Sequence, residues 1–134
     1  MTNLTVAVLC VAILAFWTMA LAFLVSMRRA SSKVYSGTDN DPTGPLHKAI
    51  RAHGNTTEYV PILAVLILYL GAAMPAATWV MWAMILVTVA RICLPLGLLM
   101  SKTMTEAHPL RIVGSLGTQI GALILIVASV MTVI

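Results

Sequence analysis

The sequence contains little charge: of its 134 residues only 9% are Asp, Glu, Lys or Arg, while 60% are hydrophobic. A soluble domain carries roughly 25% charged residues, so this composition excludes a soluble protein and indicates an integral membrane protein. Acidic residues are especially scarce, at 4 against 8 Lys and Arg, which gives a net charge of +4. Cysteine is scarce too, and Cys10 and Cys93 both lie in apolar runs, which favours packed thiols over a disulfide.

Further absences exclude several classes of protein. The first apolar run, 4–27, follows no charged residue and is too long for a signal peptide, so we do not expect it to be cleaved. It contains no carboxylate, which argues against a small multidrug exporter. No nucleic-acid-binding module is recognisable, and His47, His53 and His108 match no zinc-site spacing.

Gaps between the charged residues divide the chain into four apolar segments. Each segment is long enough to cross a bilayer. Lipid offers no hydrogen-bond partners to the backbone, and four segments are too few to close a β-barrel, so each segment must be helical. We predict an all-α membrane protein in which one domain, 1–134, contains helices at approximately 4–27, 47–70, 77–100 and 110–133.

The Lys and Arg residues all lie on or toward the first and third connections between these helices. The positive-inside rule therefore predicts that those connections are cytoplasmic and that both termini are outside. The basic flank is suited to lipid headgroups rather than to nucleic acid. Short termini without a eukaryotic retention signal favour a bacterial inner membrane, with both termini in the periplasm.

A charged cluster stands just before the second apolar run. Arg51, Asn55 and Glu58 occur at i, i+4 and i+7, so their side chains share one face of a helix. Ionisable residues at the mouth of a membrane helix are costly, and their default interpretation is a functional site. Glu58 has two interpretations at this point: a ligand contact, or a structural partner of Arg51 or Arg91.

Two more arginines are not explained by topology alone. Arg91 lies roughly 14 residues into the third helix, on the order of 20 Å of rise, and either snorkels to the interface or belongs to a buried site. Arg111 opens the fourth helix and is either a basic flank or a cation directed into the bundle. If Arg51, Arg91 and Arg111, with Arg28, converge on Glu58, an anionic ligand must complete the charge balance. A zwitterionic peptide with an extra carboxylate fits, and so does a lipid phosphate.

Small residues mark one face of the fourth helix. Gly114, Gly117 and Gly121, with Ser115 and Thr118, recur at helical spacing. Such a face is typical of close packing against another membrane helix, in the same subunit or in a neighbour.

The segment from Arg51 to Pro61, RAHGNTTEYVP, resembles the signature of the MAPEG family, membrane-associated proteins in eicosanoid and glutathione metabolism. Supporting matches are Ser26–Ala30 at the end of the first helix, Ala90–Arg91 in the third, and Pro109–Arg111 at the start of the fourth. The resemblance implies a left-handed four-helix bundle that assembles as a homotrimer. It also implies that glutathione binds as co-substrate in clefts between subunits, at the cytoplasmic end.

The resemblance also assigns roles to residues. Arg111 would stabilise the glutathione thiolate, which would attack a lipophilic small molecule dissolved in the surrounding lipid. The motif matches imply further glutathione contacts from Arg28, Arg51, Asn55, Glu58 and Tyr59. The charge argument adds Arg91 to this set.

The third helix departs from the pattern of several synthases in the family. Where they carry a His or Tyr and then a Tyr, this chain has Leu94 and Leu98, with Pro95 between them. Each lost hydrogen bond is worth about 0.5–1.5 kcal/mol net. Two functions therefore stay open: a glutathione-dependent transferase or peroxidase, and a non-catalytic trimeric membrane protein that binds lipid or a partner in the same cleft.

Overall fold

The computed structural model describes residues 2–39 and 41–134, and the chain forms four long α-helices in those ranges. Each helix is long and apolar enough to cross a membrane, so the predicted all-α membrane fold is confirmed. The helices are α1 (Asn3–Ser32), α2 (Pro45–Ala73), α3 (Thr78–Met100) and α4 (Pro109–Met131).

Local sequence signals set the helix ends. The Thr2 hydroxyl accepts a hydrogen bond from Thr5 N and caps α1, while Pro45 and Pro109 occupy the first positions of α2 and α4, where a missing N–H costs nothing. At its other end α1 continues five residues beyond the predicted 27, through Arg28, to Ser32. The apolar run indicates only the part of the helix that crosses the lipid, and α1 extends beyond that part.

The helices pack with α2 and α3 at the centre of the bundle. The first helix packs on α2 and α3, and α4 packs on α3 and, less extensively, on α2. In the described residues α1 and α4 do not come into contact, so they lie on opposite sides of the central pair. Apolar side chains from all four helices fill the core between them, including the fully buried Leu14, Ile67, Met84 and Leu125.

The predicted small-residue face brings α4 against α3 of the same chain. A Cβ added to Gly114 would collide with the backbone of Leu94, and one added to Gly117 or Gly121 would lie 2.9 Å or 3.0 Å from the Cβ of Ala90 or Val87. Close packing at this face is therefore confirmed. We call this contact the glycine seam.

The two ends of the bundle differ in their loops. At the closed end, residues 74–77 join α2 to α3 in a tight turn beside the start of α1. At the open end lie the longer connections 33–44 and 101–108, next to nearly all the charged side chains. The fold thus places the charged motifs together at one end, within reach of a membrane surface.

Candidate functional site

A cleft of about 590 Å³ opens at the charged end, between α2, α3, α4 and the connection 101–108. We call it the cleft. Its polar wall residues come from three separate parts of the chain, and two leucines of α3 form its apolar wall. They are Arg51 and Asn55 from α2, Thr105 and Glu106 from the connection, Arg111 and Ser115 from α4, and Leu94 and Leu98 from α3.

The fold holds Arg111 at the mouth of the cleft in two ways. Gly97 of α3 allows the first turn of α4 to approach, since a Cβ there would lie 2.6 Å from Arg111 N. The Arg111 Nη1 donates hydrogen bonds to the carbonyl oxygens of Met104 (2.9 Å) and Glu106 (2.8 Å). The guanidinium therefore fixes the connection that forms one wall, and its charge stays beside the cleft.

Arg91 of α3 positions Asn55, one of the two α2 residues on the cleft wall. Asn55 Oδ1 accepts a hydrogen bond of 2.7 Å from Arg91 Nη2, and the Asn55 carbonyl accepts another of 3.0 Å from the same nitrogen. With its oxygen engaged, the Asn55 amide has its N–H donors left for a ligand. Arg51, one turn earlier, is exposed and lies on the same wall.

Arg91 is buried inside the bundle, with 1% of its surface exposed. Its guanidinium carbon lies 4.7 Å from the centroid of the Tyr59 ring, a cation–π geometry. The snorkelling interpretation is therefore wrong for this residue. Arg91 and Tyr59 line a second, smaller cavity of about 50 Å³, which we call the inner cavity. Asn55, Leu94 and Ser115 lie on the walls of both cavities.

Glu58 and Arg28 are placed apart from the cleft. Glu58 is exposed on α2 and forms no salt bridge with any residue that the structure describes, so the structural pairing with Arg51 or Arg91 does not form. Arg28 lies near Pro45 on the side of the bundle where α1 packs. Within one chain, then, Arg51, Asn55 and Arg111 come together, and Arg28 and Glu58 do not join them.

Several polar residues at this end were not singled out from the sequence as site residues. Ser115 and Gln119 of α4 lie on the inner cavity, and they follow Arg111 at i+4 and i+8, the spacing of Arg51, Asn55 and Tyr59 on α2. That repeated spacing is the signal that could have found them. Glu106 lies in an irregular connection, where helical periodicity gives no signal.

Comparison with known proteins identifies the family to which the chain belongs. The family model for the MAPEG family matches residues 7–131, nearly the whole chain. Comparisons with curated proteins and with solved structures found no match. Because the family match spans all four helices and the cleft residues, this chain is a member of the MAPEG family, membrane proteins of glutathione and eicosanoid metabolism.

Proposed function

We propose that the protein is a glutathione-dependent transferase, or peroxidase, that acts on lipophilic electrophiles in the cleft. The observation that carries this proposal is the convergence of Arg51, Asn55 and Arg111 on one cavity of about 590 Å³. Two arginines, Arg51 and Arg111, and one acid, Glu106, line the cleft, and the Glu106 carboxylate already accepts from Lys102 N. The walls therefore favour a ligand with more negative than positive charge. Glutathione has two carboxylates and one ammonium group, which matches this balance.

Arg111 supplies the chemistry in this proposal. A thiol with a pKa near 8.5 is only about 3% thiolate at pH 7. A guanidinium beside the sulfur favours the charged form and can lower the thiol pKa by about one to two units. The thiol proton leaves to solvent, and the thiolate attacks the electrophilic carbon. A carbon–sulfur bond forms as the leaving group departs with its electron pair.

We also propose that the protein assembles as a homotrimer, as proteins of the family generally do. Two features support self-association. Arg28 lies on the α1 side of the bundle, across the central helices from Arg111, so both can contact one ligand if neighbouring chains supply them. The α2 face that carries Glu58 is exposed, including Ile62 at 59% and Val65 at 63%. Light scattering of the detergent-purified protein tests this: a monomeric mass would contradict it.

The location we propose is a bacterial inner membrane. The charged open end suits the cytoplasmic side, where glutathione is available as co-substrate, and both termini would be periplasmic. Cysteine-accessibility labelling of Thr38→Cys, in the connection 33–44, and of a Cys added at the C-terminus tests the orientation in intact cells. Labelling of position 38 from outside would contradict it.

The decisive experiment measures conjugation of glutathione to a chlorinated aromatic by purified protein. Arg111→Ala should lower the rate at pH 7 by about ten- to twentyfold, because the thiol pKa returns toward its free value. The inflection of the pH–rate profile should move up by about one to two units, and Arg111→Lys should restore part of the rate. Arg29→Ala is the matched control, because Arg29 also donates to a connection carbonyl, that of Val34, but lies outside the cleft.

A second candidate has observations in its favour. Leu94 and Leu98 give the cleft an apolar wall in place of the hydroxyl groups of several relatives, and Arg111 Nη1 is engaged by two backbone carbonyls. Both features suit a non-catalytic protein that holds a lipid phosphate or a partner in the cleft. Glutathione binding without turnover, or equal rates for wild type and Arg111→Ala, would favour this second function over the first.

A further inference from the structure

The connection 101–108 supplies the acid of the cleft. Among the four acidic residues of the chain, all of which lie in the described ranges, only Glu106 lines the cleft. Two of the others belong to the connection between α1 and α2, and Glu58 is exposed on α2. The negative side chain of the cleft therefore comes from a loop and not from the charged motif of α2.

Three hydrogen bonds fix Glu106 on the cleft wall. Its backbone N donates to the carbonyl of Thr103 (3.3 Å), and its carbonyl accepts from Arg111 Nη1 (2.8 Å). Its carboxylate oxygen Oε2 accepts from the backbone N of Lys102. That donor is a neutral group, so the carboxylate keeps its charge, and a carboxylate can accept about four hydrogen bonds. Because the half-buried side chain is already held in place, a ligand that binds it loses little affinity to the ordering of the wall.

The charges on the cleft walls determine where each end of a zwitterionic ligand binds. Arg51 and Arg111 attract negative groups and repel an ammonium group. An ammonium group of the same ligand is stabilised beside Glu106, the acid on these walls. A hydrogen bond between an ammonium group and a carboxylate is charge-assisted and roughly twice as strong as a neutral one. The walls thus select for the presence and the position of an amino group, as well as for net negative charge.

We propose that Glu106 determines the specificity of the cleft for the amino group of glutathione. Its carboxylate binds the ammonium group at the γ-glutamyl end of the peptide, in place of Glu58, the acid that the α2 motif suggested. The γ-glutamyl end then lies against the connection 101–108, which leaves Arg51 for a carboxylate and Arg111 for the sulfur. This inference rests on the proposed function, because it concerns the ligand of the same cleft.

The test compares two ligands by calorimetry on the detergent-purified, full-length protein. One is glutathione, and the other is glutaryl-cysteinylglycine, which is glutathione with a hydrogen atom in place of the amino group. Wild type should bind glutathione about tenfold more tightly than the analogue. Glu106→Gln should reduce this preference to about twofold or less by weakening glutathione binding, and it should not weaken binding of the analogue. A glutamine oxygen can still accept from Lys102 N, so the substitution preserves the connection.

Glu58→Gln is the matched control, because it removes the same charge from a position outside the cleft, and it should keep the preference. The assignment of Glu106 fails if Glu106→Gln keeps the preference, or if it weakens both ligands equally, which would indicate a purely structural role. Equal affinities of wild type for the two ligands, or loss of the preference in Glu58→Gln alone, would also overturn it. These outcomes leave glutathione binding intact, whereas a wild type that binds neither ligand would contradict the proposed function and, with it, this inference.

Discussion

The two ends of the bundle solve the same structural problem with different side chains. At the closed end, the buried Asn3 donates from Nδ2 to the carbonyls of Met74 (2.6 Å) and Ala77 (2.9 Å) and so holds the α2–α3 turn. At the open end, Arg111 Nη1 holds the α3–α4 connection in the same way, with two carbonyl bonds of 2.9 Å and 2.8 Å.

The difference between the ends lies in what remains after the loop is held. An amide nitrogen has two N–H donors, and Asn3 uses both on the turn. A guanidinium has five N–H donors and a full charge, so Arg111 can hold its connection and still attract an anion. At the closed end both amide donors of Asn3 are used, whereas at the open end the charge of Arg111 remains beside a cleft. The choice of side chain thus separates an end whose amide donors are all used from an end whose guanidinium can still attract an anion.

The largest effect we expect comes from opening the glycine seam, which packs α4, the helix that carries Arg111, against α3. In Gly114→Ala the new Cβ would collide with the Leu94 backbone, which should lower the free energy of unfolding by about 3 kcal/mol. The matched control is Gly54→Ala, where nothing lies within 4 Å of the added Cβ. That variant should gain about 0.5–1 kcal/mol. Denaturation in detergent compares the two, and a Gly114→Ala variant as stable as wild type would contradict the close approach of α3 and α4.

Breaking the closed end should affect stability and spare the site. In Asn3→Leu both carbonyl bonds are lost at nearly constant volume, which should cost about 2 kcal/mol of stability. Thr5→Val, two residues along α1, removes only an exposed hydroxyl contact and should be nearly neutral. Glutathione conjugation below the unfolding temperature should be unchanged in both variants. A large loss of activity in Asn3→Leu would show that the two ends are coupled.

Much of the fold could be predicted from apolar periodicity. The four helices follow from apolar runs between charged connections, and the glycine seam follows from the spacing of Gly114, Gly117 and Gly121. The extent of α1 beyond residue 27 could not be predicted, because hydropathy measures lipid depth and says nothing about where a helix ends in the interface. The family resemblance, drawn from the α2 motif, is confirmed by the family match.

The site was less predictable, because a helix face does not reveal which neighbour covers it. The i, i+4, i+7 spacing placed Arg51, Asn55 and Glu58 on one face, yet Glu58 lies outside the cleft that the other two line. The acid of the cleft wall is Glu106, whose position depends on the hydrogen bonds that Arg111 makes to the connection. Such loop contacts leave no periodic signal in the sequence.

A moderate loss of glutathione affinity should follow from removing the charge of Arg51 at the open end. Arg51 is exposed on the cleft wall, so its attraction for a carboxylate is screened and worth about 1 kcal/mol. Arg51→Ala should therefore weaken glutathione binding about fivefold, measured by calorimetry, and the loss should shrink at high salt. Lys48→Ala, one turn earlier and outside the cleft, is the control. Equal losses in the two variants would mean that general surface charge, rather than the cleft, attracts the ligand.

The smallest effect we expect is a gain in glutathione affinity from a substitution on the cleft wall at the open end. Leu98 lies on the apolar wall of the cleft, 6% exposed, where several relatives carry a hydroxyl. Leu98→Tyr should supply one hydrogen bond to the peptide, worth about 0.5–1 kcal/mol, and so tighten glutathione binding two- to fivefold. Leu98→Phe adds the same ring without the oxygen and separates the hydrogen bond from the change in packing. If Leu98→Phe tightens binding as much as Leu98→Tyr, the size of the side chain and not its hydroxyl group determines the affinity at this position. If neither variant tightens binding, the ligand does not reach the α3 wall, and the apolar surface there faces the lipophilic substrate instead.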